Sequence, residues 1–189
     1  MKNSPVKVIL DACVIFRATL RDTLLRAAAA VLYEVYWSDM ILEEVSRNLI
    51  KNGTMNTEQA QRLIRRMGEF FRDATVTEFE ALIGSMTNDE KDRHVLAAAV
   101  AADADTIVTS NLKDFPERAL APLKIKAMSP DQFLMSLFGV DPETMTRIVI
   151  EQAEQLKNPP KTVGEVLDSI AWVAPQFAAA VRAGIGERE

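Results

Sequence analysis

The sequence predicts an α/β chain, a mostly parallel sheet carrying helices, followed by an all-helical extension. Three observations lead there. Short apolar runs at Val6–Leu10, Glu34–Trp37 and Thr106–Thr109 have the length and the β-branched or aromatic content of buried strands, and they alternate with longer helical patterns. The first run ends on a carboxylate, Asp11, where a parallel sheet presents ligand-binding groups. After Ser129 the strand signals stop and only helical segments follow.

Taken in order, Val6–Leu10 reads as a strand buried on both faces. Arg21–Val31 is an Ala/Leu-rich helix with Asp22 near its start, and Glu34–Trp37 is the second strand. Ser38 stands at an N-cap position, so Asp39–Ile50 follows as an amphipathic helix closed by Gly53. Thr57 is expected to cap a helix reaching about Arg72, and Thr75–Thr77 to form a short third strand. Asn88 or Asp89 caps a helix through Ala102, with Asp92, Val95, Leu96 and Ala99 at helical spacing. Thr106–Thr109 is the fourth strand and Lys124–Ala127 a fifth. The tail reads as helices over Pro130–Gly139, Asp141–Lys157, Thr162–Ile170 and Pro175–Gly184. Pro142 sits at a first helical position, and Thr162 with Glu165 makes a capping box.

The 189 residues, 48% of them hydrophobic, suffice for one packed domain with an appendage. The net charge of −5 has the wrong overall sign for a nucleic-acid binder, yet local basic patches bind phosphates, and acids gathered for a cation push the balance this way. One cysteine, Cys13, rules out a disulfide framework within the chain and fits a reducing compartment. The first ten residues lack a leader's apolar core and no apolar run spans a bilayer, so the expected location is cytoplasmic, without a membrane.

If the strands ending at Asp11 and Thr109 are neighbours, their tips converge. Asp114 follows the fourth strand closely, Glu44 lies in the helix after the second, and Asp92 lies early in the helix before the fourth. Carboxylates gathered so closely repel, raise one another's pKa and are costly to bury without a cation. A hard divalent ion with oxygen ligands relieves that conflict and pairs with phosphate. By spacing alone, however, each acid reads as a solvated helix face or a cap.

The segments VILDACVIF (8–16), LRDTLLRAA (20–28), WSDMILEEVSRNL (37–49), NDEKDRHVLAAAV (88–100) and DTIVTSNLKDFP (105–116) together resemble the successive motifs of PIN domains, in order over about Val6 to Met128. They are most similar to the VapC-type branch. The resemblance implies a three-layer, Rossmann-like PIN sheet over residues 1–129 and a helical C-terminal extension over 130–189. It implies an endoribonuclease dependent on Mg²⁺ or Mn²⁺, the toxin half of a type II toxin–antitoxin pair, neutralised by a cognate antitoxin and often a homodimer. Position by position, it makes Asp11, Glu44 and Asp92 the first three metal-binding acids. The Ser38 spacing favours Glu44 over Glu43. Asp114 is the fourth acid. Many relatives carry an aspartate where this chain has Asn111, which can orient water but brings no charge. Thr109 and Asn111 would position water or metal. Arg21, Arg17 and Arg93 would clamp RNA phosphates, since the guanidinium suits bidentate recognition.

Two other readings stay beside this one. A haloacid-dehalogenase-like phosphatase also begins with a strand ending in aspartate, but it wants a second acid two residues on, where this chain has Cys13. A non-catalytic module that keeps the PIN fold is favoured by Asn111. Cys13 reads as a buried inert thiol and His94 as an exposed helix residue. The Arg62, Arg65 and Arg66 face reads as solvated, and Trp37 as core. The apolar side chains of the extension, from Phe133 to Phe177, could bind antitoxin, cap a dimer or cover the sheet.

Overall fold

The computed structural model describes residues 5–186. The first four residues, on which the leader reading partly rests, and the last three, which end the helical extension, lie outside the described residues. The strands are β1 (Lys7–Leu10), β2 (Glu34–Ser38), β3 (Thr75–Val76), β4 (Thr106–Val108) and β5 (Lys126–Met128). The helices are α1 (Ala12–Ile15), α2 (Ala18–Ala29), α3 (Asp39–Lys51), α4 (Thr57–Phe70), α5 (Glu80–Ile83), α6 (Arg93–Ala101), α7 (Glu117–Leu120), α8 (Pro130–Val140), α9 (Pro142–Gln155), α10 (Val163–Ala171) and α11 (Pro175–Gly186).

The strands form one parallel sheet in the order β3-β2-β1-β4-β5. The chain lays β2 and β3 to one side of β1, then crosses back to lay β4 and β5 on the other. The direction of winding therefore reverses between β1 and β4, and open α/β sheets bind ligands in the crevice beyond the strand ends at such a point. The register is tight there: Leu10 stands opposite Val108, and Asp11 N donates to Val108 O at 3.1 Å. Val8, Ile9 and Leu10 are fully buried, the continuous apolar run that a strand covered on both faces requires.

The chain packs as two compact units. The first contains the segment ending at Phe16 and Tyr33–Met128, hence the whole sheet. Its helix α3 begins where Ser38 Oγ accepts from Ile41 N at 3.3 Å, and stops at Gly53, whose φ of +67° is open to glycine at no steric cost. Helix α4 is capped by Asn56 rather than Thr57: Asn56 and Gln59 form a capping box, which satisfies two orphan backbone donors together. The strand expected at Lys124 begins at Lys126, because Lys124 takes a left-handed turn (φ 58°) that no strand accommodates. Helix α6 packs on β1, β2 and β4 and against α3 and α5, so every residue from His94 to Ala99 is buried. The expectation of an exposed His94 is corrected on that ground: enclosure on several sides overrides its position in the first turn.

The second unit contains Arg17–Leu32 and the chain from Ser129 onward. The second unit takes in α2, whose buried face (Leu20, Leu24, Ala27) meets α9 and α10. Polar groups tie the helices as well. Thr23 Oγ1 donates to Gln152 Oε1 at 2.8 Å, and Gln152 Nε2 donates to Thr19 O at 3.0 Å. The buried Asp131 carboxylate, in the first turn of α8, accepts from Gln176 N at 3.3 Å and Phe177 N at 3.0 Å, capping α11 from a different helix. Among the described residues no helix is long and apolar enough to cross a membrane.

Candidate active site

The end of β1 sets the first acid. Asp11 stands at the N-cap of α1, but its side chain makes no capping bond. Instead Oδ2 accepts from Thr109 Oγ1 at 2.6 Å and from Cys13 Sγ at 3.0 Å. Thr109 Oγ1 in turn accepts from Asn111 N at 3.0 Å, which leaves the hydroxyl proton for Asp11. Two donors on one oxygen fix the orientation of a carboxylate that is only 3% exposed. Burial, then the charge of Asp11, pushes the Cys13 thiol up to about 12. Cys13 is therefore a neutral donor to Asp11 and unsuited to nucleophilic attack.

Asp92 owes its position to a 3₁₀ turn, Glu90–Asp92, opened by Asp89, whose Oδ1 accepts from Lys91 N at 3.2 Å. Asp92 becomes the N-cap of α6, again without a capping bond. Its Oδ2 is buried and has no hydrogen-bond partner. Burial, then the charges of Asp11, Asp114 and Asp89, outweighs the relief from Lys91 and pushes the carboxyl up to about 7. Asp114 ends a second 3₁₀ turn, Leu112–Asp114, and is 6% exposed. Between them lies Lys91, its ammonium 3.2 Å from Asp114 Oδ2 and 3.9 Å from Asp92 Oδ2.

Glu44 is on α3, half-buried, with Oε2 3.7 Å from His94 Nε2. Burial holds the imidazole below its usual pKa against the pull of Glu44 and Asp11, so this contact is no ion pair at neutral pH. Glu43, Glu44, Asp92 and Asn111 line one cavity of about 550 Å³ together with Arg47, Lys91 and His94. Another cavity, of about 570 Å³, lies among Leu112, Phe115, Leu120 and Ile125, with Glu117, Lys124 and Lys126 also on its lining; it is mostly apolar and holds none of the predicted site residues.

The structure thus brings Asp11 and Thr109 into direct contact, joins Asp92 to Asp114 through Lys91, and gathers Glu44, Asp92 and Asn111 on one cavity. It does not converge the four acids on a point: among the described residues, no three acidic, histidine or cysteine side chains could hold one ion as they stand. The donor chemistry still suits a hard divalent cation. The acids are oxygen donors, Asp92 keeps a buried oxygen without a hydrogen bond, and burial, then the neighbouring acids, raises its pKa.

Of the arginines, Arg93 is half-buried with its Nε unpartnered, and Arg17 is exposed in the second unit. Arg21 is 8% exposed and its guanidinium is pushed down by burial, so it presents little surface to an RNA backbone. Sequence reasoning missed Lys91 and Arg47. Each had a signal, since Lys91 adjoins Asp92 and Arg47 lies one helical turn after Glu44.

A parallel sheet that reverses its winding beside an aspartate, with acids from separate segments around that point, defines a class, and the chain belongs to it: it is a member of the PIN-domain family, whose model matches residues 7–113. The five-stranded α/β sheet followed by helices is the fold that membership implies. A second model, the VapC50 C-terminal domain, matches residues 130–183. The chain is 43% identical over 104 residues to "Putative ribonuclease VapC50" of Mycobacterium tuberculosis. That match covers 55% of this chain and 62% of the relative, so it spans less than two thirds of the relative's length. No solved structure matches the chain.

Proposed function

We propose that the chain is an endoribonuclease that hydrolyses RNA phosphodiester bonds with a divalent cation, Mg²⁺ or Mn²⁺, and serves as the toxin of a type II toxin–antitoxin pair. The observation that carries this reading is Asp92: a buried carboxylate whose Oδ2 has no hydrogen-bond partner, on a cavity that Glu44 and Asn111 also line. Family membership and the printed name of the Mycobacterium tuberculosis relative support the same reading.

Asp11, Glu44, Asp92 and Asp114 would hold the cation. When bound, it would polarise the phosphodiester and favour the ionised form of an attacking water. The chain's own residues do the remaining work. Thr109 and Cys13 hold Asp11 in one orientation through Oδ2. Asn111, its backbone fixed on Thr109, lines the cavity. Arg47 lines the same cavity, and Arg93 and Arg17 remain candidates for RNA phosphates; Arg21, being buried, is the weakest. A cognate antitoxin, a homodimer and a cytoplasmic location belong to the same proposal.

A second reading has one observation in its favour. Because no three ligands stand within one ion's reach, a PIN-fold module without turnover is also consistent with the side chains as placed. One assay separates the two. Purified chain with MnCl₂ and single-stranded RNA should yield discrete new ends on sequencing, with no ends in EDTA or from Asp11→Asn. Thr109→Val should cut about 10–100-fold more slowly, the usual loss when a group supporting a ligand is removed. RNA left intact by the wild-type chain under all metal conditions would leave the module reading.

A further inference from the structure

We propose that Lys91 is an internal counter-ion that holds the cation position between Asp92 and Asp114, and that a divalent ion must displace it to load the site. The inference rests on the reading of these acids as a metal site.

Three features argue for it. First, the placement is built rather than incidental. The two 3₁₀ turns that carry Asp92 and Asp114 are joined by Asp89 N donating to Asp114 O at 3.2 Å, and Asp89 Oδ1 also holds the backbone of Lys91. The lysine is thereby tethered between two carboxylates that come from turns distant in sequence. Second, the carboxylates need a cation. Both are nearly buried, and a buried pair of like charges is costly until a positive group stands between them. Third, the occupant can leave. The Lys91 side chain is 63% exposed, so its flexible stem can return the ammonium to water at little cost. An arginine, with its planar fork, would grip both acids more firmly. One positive charge against several acids is also the weaker partner; a divalent ion brings two at shorter range.

The competition sets a threshold: the site fills only when the divalent ion outcompetes a tethered lysine. Titration calorimetry with MnCl₂ on the full chain tests it. Lys91→Met should bind Mn²⁺ about tenfold more tightly than wild type, within the usual range of coupling between two ligands. In EDTA it should melt at a lower temperature than wild type, and its gain in Tm on adding Mn²⁺ should be larger. Lys91→Arg should bind Mn²⁺ no more tightly than wild type. Lys113→Met, which removes an exposed lysine from the neighbouring turn, should leave the affinity unchanged. Equal or weaker Mn²⁺ binding by Lys91→Met overturns the inference, as does an equal gain from Lys113→Met. Asp92→Asn tests the reading underneath. If it binds Mn²⁺ as well as wild type, or if wild type binds none, the metal site itself is wrong and the inference goes with it. If binding requires Asp92 but Lys91→Met gains nothing, only the role of Lys91 fails.

Discussion

The two units differ in how completely their buried polar groups are satisfied. In the helical unit, the buried Asp131, Gln152, Thr23 and Thr146 each make hydrogen bonds: Asp131 accepts from two backbone amides, and Gln152 is joined to Thr23 and Thr19. In the sheet unit, buried atoms of Asn88, Asp92, Arg93, His94 and Trp37 have no hydrogen-bond partner. Among the described residues, every such atom belongs to this unit. Most of them fall within one short stretch, 88–94, around the proposed site. Buried polar groups left unsatisfied cost about 1–3 kcal/mol each, so the sheet unit carries a cost here that the helical unit avoids. The helical unit spends its polar groups on cohesion, while the sheet unit holds part of its own in reserve.

The largest effect that would sharpen this contrast is at Asp92. Asp92→Asn should lower RNA cleavage by at least ~10²-fold, beyond the loss expected for an outer supporting group, and yet melt at a higher temperature than wild type in EDTA. A fall in both rate and Tm would break the contrast. Next comes Asp131→Ala, which strands two backbone amides at the start of α11. It should cost ~1–3 kcal/mol of stability, seen as a lower urea midpoint, with the cleavage rate unchanged well below the midpoint.

A pH series probes the sheet unit without a change to its core. Asp92 binds a proton more readily in the folded chain, up to about 7, than an ordinary aspartate does unfolded. The folded state therefore holds the extra proton between about pH 4 and 7, and stability falls as pH rises through that window. His94, held below its usual value by burial, works the other way, losing stability as pH falls below its unfolded pKa. The informative quantity is thus the Tm of wild type minus that of Asp92→Asn in EDTA, which should fall, becoming more negative, from pH 5 to pH 8. A flat difference would show that Asp92 is not perturbed. The smallest effect is at Val31, a β-branched residue at φ 59°. Val31→Gly should relieve that strain, partly offset by the freer unfolded chain, for a net gain of about 0.5 kcal/mol and a slightly higher Tm.

Much of this was legible in the sequence. The apolar runs of β1, β2 and β4 announce buried parallel strands, Ser38 and Thr162 announce their helices, and Asp11 is at the strand end where its run stops. What escaped was partnership. The stretch Asn88–Asp92 is a charge run, and charge runs look like solvated faces; only the two 3₁₀ turns reveal that its lysine faces Asp114. The apolar face of α2 is visible from its spacing, but spacing names no partner, so its place beside α9 could not be read. His94 looked exposed because one helical turn says nothing of what packs around it.

The position of α2 bears on how the protein is made. This helix leaves the ribosome roughly a hundred residues before α9 and α10, a delay of about 5–25 s at ordinary rates of synthesis. During that interval Leu20, Leu24 and Ala27 have nothing to bury against, although the strands on either side of them in sequence can already pair. The nascent chain must therefore carry a sticky loop out of its growing sheet until the last third is translated. A gene truncated near Ser129 would make that waiting state permanent and yield aggregate in place of a smaller folded protein.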